Sequence, residues 1–180
     1  ADDNASGSAT LLEIARAAVR LTPRPRRSIV FVFFGGEETG LLGSRHFVAD
    51  RPASLGNCLG MINMDMVGAG TGAFVAGGKN FPELLQVIEA ARDRRQPVMT
   101  VKAGRSEGEP RADHGPFQQA GIPAVSIFGS GGNHHGYHSP EDTIWWITPK
   151  AMEAIGRVVL DGAATLANDG VAVSPPSPGR

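Results

Sequence analysis

Ser28-Ile29-Val30-Phe31-Val32-Phe33-Phe34-Gly35-Gly36-Glu37-Glu38 is the stretch whose reading decides the fold. Its first seven residues are almost wholly apolar, which predicts a strand buried on both faces. Gly35-Gly36 ends the run and leaves two carboxylates at its carboxyl end. In open α/β sheets that edge is where ligands bind. Adjacent carboxylates on a turn point in different directions, so one can hold a metal while the other faces water bound to it. The same pair also fits a helix start, where Glu favours the positive end of the helix dipole. Taken alone, the pair does not separate these readings.

Outward from this run, helical and strand patterns alternate. Leu11, Leu12, Ala15, Ala18 and Val19 predict a helix over 8–21. A second helix is expected near 41–49. Buried strands are expected over 59–67 and 123–128, with shorter ones at 73–76 and 98–101. Pro82 suits the first turn of a helix carrying Leu84, Leu85, Val87, Ile88 and Ala91, and 113–120 reads as helical. Thr148-Pro149 is an N-cap followed by proline, opening a last helix with a stripe of Met152, Ile155, Val159, Ala163 and Leu166. The alternation implies an α/β fold, a mostly parallel central sheet with helices on both faces. One domain over 1–168 is expected, with the Pro/Ser/Gly tail, 169–180, disordered.

Composition narrows the function. A formal net charge of −1 over 180 residues gives no reason to invoke nucleic acid or an anionic membrane. No apolar run reaches the roughly 18 residues a membrane span needs, and no export signal is present in these residues. Cys58 is alone, which excludes an internal disulfide and a cysteine-based zinc knuckle, and leaves it as a small core residue.

Chemistry converges on one edge. Gly60-Met61-Ile62-Asn63-Met64-Asp65-Met66 places Asp65 near the end of an apolar strand, where a buried carboxylate is costly unless paired or ligating a cation. The loop Gly129–His138 brings three histidines, and Asp3 precedes the first helix. Carboxylates and imidazoles without thiolates suit zinc, with manganese or cobalt as competitors. His134 and His135 are expected to be solvated, His46 to lie on the surface and His114 to position its loop. Asp142 either orients His138 or caps the segment after it. Trp145-Trp146 fits a pocket wall as well as it fits packing.

Five segments, in order, carry a resemblance: Ala1-Asp2-Asp3-Asn4-Ala5-Ser6-Gly7, Gly36-Glu37-Glu38-Thr39-Gly40-Leu41-Leu42-Gly43-Ser44, Asn63-Met64-Asp65-Met66, Asp113-His114-Gly115-Pro116-Phe117 with Gly121-Ile122-Pro123, and Tyr137-His138-Ser139-Pro140-Glu141-Asp142-Thr143. The chain resembles the zinc aminopeptidases of the M28 peptidase family. That resemblance implies two zinc ions bridged by Asp3, with Glu38 and His138 completing one site and Asp65 serving the other. It implies Glu37 as general base, Tyr137 as a donor to the oxyanion, and Arg111 near a peptide substrate. The related glutaminyl cyclases share the metal ligands, but Gly40-Leu41-Leu42-Gly43-Ser44 looks like the peptidases. Many relatives are exported, which leans the address toward a secreted or periplasmic one.

One departure matters. The family's His-x-Asp motif, upstream of the residue matching Asp3, occurs nowhere in these 180 residues. The expectation is an N-terminally truncated catalytic domain with one strong zinc site, Asp3/Glu38/His138, and a weak or absent second. Strands lost with that segment would leave an exposed sheet edge open to a homo-oligomer. A catalytically silent binding domain is the competing expectation.

Overall fold

A computed structural model describes residues 1–50, 52, 56–105 and 110–169. Helix α1 spans Gly7–Ala18 and α2 Leu42–Ala49. Strand β1 covers Met61–Met64, β2 Gly72–Ala76 and β3 Thr100–Ala103, with α3, Pro82–Arg95, between the last two. Helix α4, His114–Gln119, leads into β4, Ala124–Ser130, and α5 runs from Pro149 to Asp169. The sheet order is β1-β4-β2-β3. β1 runs parallel to β4 (Met61 opposite Ala124) and β2 parallel to β3, while β2 and β4 are antiparallel. The α/β reading with mostly parallel pairing therefore holds.

Helices cover both faces. Val67, Val75, Val125 and Ile127 pack with Ile14, Leu84, Ile88, Ile155 and Val158 in the main core, which joins the sheet to α1, α3 and α5. On the other face Phe117, Ile122 and Ala124 pack with Phe34, Phe47, Cys58 and Met61. Burying each large apolar side chain contributes about 1.5–3 kcal/mol, so the two layers fix the sheet firmly. Cys58 sits partly buried in the smaller layer.

The deciding stretch departs from its expectation. Ser28–Phe34 forms no regular element and pairs with no strand among the described residues. Val30 and Phe33 are 54% and 56% exposed. Phe31 leans on the main core and Phe34 forms edge contacts with Phe47 and Phe117, so side chains alone hold the run in place. A strand buried on both faces needs neighbours on both edges, and here neither edge has one. Strand β1 is likewise only half-buried, an edge strand rather than the buried one expected. At the other end, Asn168 accepts a hydrogen bond from the Arg26 amide and α5 continues to Asp169, so residue 169 is helical rather than tail. The expected disorder beyond it lies outside the described residues.

Candidate metal centre

Asp3 is set by a kinked turn, Asp2–Ser6, strapped to the loop after β1. Asn4 donates from Nδ2 to the Met64 carbonyl at 2.9 Å, and its Oδ1 accepts from the Gly7 and Met66 amides. Ser6 Oγ accepts from Val67 N–H and donates to the Asp2 carbonyl. Asp2 is buried, and its Oδ1 accepts from Gly68 N–H at 2.8 Å. Gly7 has no room for a side chain, since a Cβ would stand 2.5 Å from the Met64 carbonyl oxygen. The turn thus lies against the carboxyl end of β1.

Glu37 and Glu38 sit on the tight turn leading into α2, where Gly40 and Leu41 donate to the Glu37 carbonyl. Gly43 donates to Gly35 at 2.9 Å, and a Cβ on Gly43 would reach within 2.6 Å of that same carbonyl oxygen. Close approach of α2 to the end of Ser28–Phe34 is why Gly43 belongs here. Leu41, Met66 and His138 hold left-handed backbone at φ 60°, 52° and 56°, a conformation costly to non-glycine residues. All three lie in, or within three residues of, the converging carboxylates and imidazole.

Asp3, Glu38 and His138 come together although residues 3 and 138 are distant in sequence. One ligand atom from each lies within 4.8 Å of the others. His138 Nε2 is 3.3 Å from Asp3 Oδ2 and 3.2 Å from Glu38 Oε1. Two carboxylate oxygens and one imidazole nitrogen form a donor set that fits zinc. Behind them stand Glu37, Asp65 and Asp113. Burial, reinforced by the charge of Glu38, pushes Glu37 up to about 7. Burial and then Asp3 push Asp65 up to about 7 as well. Asp3 itself is raised by burial and by Glu38. Asp113 is raised by burial against a hydrogen bond from Ser44, and its Oδ1 has no hydrogen-bond partner. Close carboxylates repel one another, and a cation among them would relieve that cost.

The supporting residues differ from those expected. Asp142 neither orients His138 nor caps the segment after itself. Its Oδ1 accepts from Asp2 N–H at 2.7 Å and its Oδ2 from Asp3 N–H at 3.0 Å. Burial would raise Asp142, but the ammonium of Ala1 and these amides hold it below the ordinary value. His134 is not simply solvated: Nδ1 lies 2.6 Å from Asp2 Oδ2 and Nε2 3.1 Å from the Gly129 carbonyl. With acceptors at both ring nitrogens, the imidazolium is favoured, and the Asp2 hydrogen bond raises its pKa. His135 stacks on Trp146 at 3.8 Å. His114 is buried, and burial pushes it down to about 4, so it stays neutral. His46 lies on the surface beside Asp50. Tyr137 is half-exposed with its ring 3.8 Å from that of His138. Arg111 is exposed. Sequence reasoning gave no role to Asp113 or to the Asp2–His134 pair; the only signal for Asp113 was its place in a quoted motif.

Comparison with known proteins points the same way. The sequence model of Peptidase family M28 matches residues 1–163. A probable leucine aminopeptidase of Arthroderma benhamiae is 30% identical over 174 residues, covering 93% of this chain and 48% of its own length. The structure of a zinc aminopeptidase from Bacillus subtilis superposes with a TM-score of 0.79 at 26% identity, covering 93% of this chain and 42% of that one. A glutaminyl cyclase of Porphyromonas gingivalis shares the fold at 22% identity and a TM-score of 0.66, over 89% of this chain and 61% of its own. This chain thus spans about half or less of the two aminopeptidases.

Proposed function

This chain belongs to peptidase family M28, and we propose that it forms the zinc-binding half of an aminopeptidase site, in which Asp3, Glu38 and His138 hold the ion. The observation that carries this reading is the meeting of those three donors next to a carboxyl, that of Glu37, whose pKa lies at about 7. Zinc held there supplies a Lewis acid that polarises a peptide carbonyl and acidifies water.

The chain's own residues divide the remaining work. Glu37 removes a proton from the attacking water and passes it to the leaving amine; a base is most efficient when its pKa lies near the operating pH. Glu37 and Asp65 present carboxylates to a free α-ammonium, which suits substrates cut at their amino terminus. Tyr137 directs its hydroxyl toward the developing oxyanion, and Arg111 belongs to the substrate's approach. Among the described residues no imidazole joins Asp65 in a donor set, so a second ion binds weakly or not at all. Two equally tight zinc sites in a calorimetric titration would refute that count.

The substrate is tested by incubating the zinc-loaded chain with an aminoacyl chromogenic substrate and, separately, with an N-terminal glutaminyl peptide. Release of the chromophore supports the aminopeptidase reading. Cyclisation of the glutamine without that release replaces it with the cyclase one. Inertness toward both, with zinc bound, leaves a binding domain.

A further inference from the structure

Ile144–Trp146 forms a single 3-10 turn that buries none of its three side chains. Ile144 is 73% and Trp145 87% exposed, and Tyr137, beside His138, is half-exposed as well. None of these residues borders the space between β1 and Ser28–Phe34. Apolar side chains standing singly in water need no explanation, but a run of them marks a contact surface. The turn is also pinned on both flanks to the strap that presents Asp3. On one side Asp142 accepts from the Asp2 and Asp3 amides. On the other Thr148 donates to the Gly68 carbonyl at 2.7 Å, and Gly68 donates to Asp2. Trp146 is held in place by His135, whose ring stacks on it at 3.8 Å. His135 and His138 are three residues apart, a span of at most about 11 Å. An aromatic ledge therefore runs from the metal donor His138, through Tyr137 stacked on it, to His135 and Trp146.

We propose that Trp145 and Trp146 form the subsite for a large apolar side chain on the leaving side of a peptide substrate, carried by the second or third residue after the cleaved bond. This rests on the aminopeptidase reading and follows from the order of groups at the rim. Asp3 and Glu38 border two hollows. Glu37 and Asp65, which take the substrate's ammonium, line the first. The second, of about 380 Å³, is lined by His138, Ser139, Pro140 and Asp142, the residues that lead into the turn. With the ammonium in the first hollow and the scissile carbonyl at Asp3, Glu38 and His138, the polypeptide beyond the bond leaves through the second. At about 3.3 Å per extended residue it meets the ledge two to three residues on. Tryptophan suits such a site because it offers a large contact area with only two side-chain torsions to fix. Stacking on His135 already orients the ring of Trp146.

Trp145 and Trp146 are the chain's only tryptophans, so its indole fluorescence reports on this turn alone. With chelator present to prevent turnover, the chain is titrated with Leu-Gly-Phe-Phe amide and with Leu-Gly-Gly-Gly amide. The expected result is an emission shift and an affinity about 10-fold or more higher for the phenylalanyl peptide. Acetylating that peptide's amino terminus should weaken it about 10-fold, because the contacts at Glu37 and Asp65 are then lost. Trp145→Ala and Trp146→Ala each leave one indole as reporter and, as exposed changes, leave folding intact. Each should cut the preference to about 3-fold or less. Equal affinity for the two peptides, or a preference that survives both substitutions, overturns the subsite. So does an acetylated peptide that binds as tightly, since the face is then a general apolar patch. Emission that shifts with the chain's own concentration, or with neutral phosphatidylcholine vesicles alone, also overturns it, in favour of a second copy or a membrane. If the zinc-loaded chain cleaves the aminoacyl chromogenic substrate while any of these holds, the aminopeptidase reading stands without this subsite. If it does not cleave that substrate, the reading itself falls and the subsite falls with it.

Discussion

Two groups of acids share the rim of this sheet and differ in what accompanies them. Asp3 and Glu38 face an imidazole, that of His138, within 3.3 Å. Glu37, Asp65 and Asp113 stand behind them, and burial raises the pKa of each, helped at Glu37 by the charge of Glu38 and at Asp65 by that of Asp3. The outer set therefore offers the mixed donors that zinc takes. The inner set keeps protons to higher pH, which suits proton transfer and costs stability when those protons leave.

Exchanging these roles by mutation tests the distinction. The largest effect is expected from Glu37→Gln, which should lower kcat roughly 10²–10⁴-fold while calorimetry finds zinc affinity unchanged. Equal loss of affinity would move Glu37 into the outer set. His138→Ala should weaken zinc more than about 100-fold, because it removes a donor where even loss of an orienting neighbour costs 10–100-fold. Asp142→Asn should weaken zinc about 10–100-fold by slackening the Asp2 and Asp3 amides, with little change in the pH profile of turnover.

The smallest effect concerns stability. Asp65 titrates at about 7 in the fold against an ordinary 3.8, so the folded state binds more protons between those values. Its contribution is fully present below pH about 4 and is lost as pH rises through about 7. Asp65→Asn removes that loss. Urea denaturation with chelator should show the variant about 1–2 kcal/mol more stable than the parent at pH 8, after discounting for partial exposure, and little different at pH 4. An equal gain at both pH values would assign the effect to packing instead.

Much of this arrangement could be read from the chain beforehand. β4 and the start of α5 follow from local pattern, and Asp3, Glu38 and His138 follow from motifs that stand in a recognisable order. Ser28–Phe34 shows where such reading stops. Its residues resemble those of β4, but a strand exists only when a neighbour presents matching backbone, and no local pattern states whether that neighbour is there. Asp142 and His134 escape sequence reading for a related reason. Both act on Asp2, more than 130 residues away, and that juxtaposition is created by the fold.

The grip of Asp142 on residues 2 and 3 carries a temporal consequence. The carboxylate of Asp142 fixes the backbone that presents Asp3 across a separation of 139 residues, and contacts of that span form late. During synthesis, the first aspartates emerge long before their fastener does. The backbone that presents Asp3 is thus fastened only after Asp142 has been made and has closed on it.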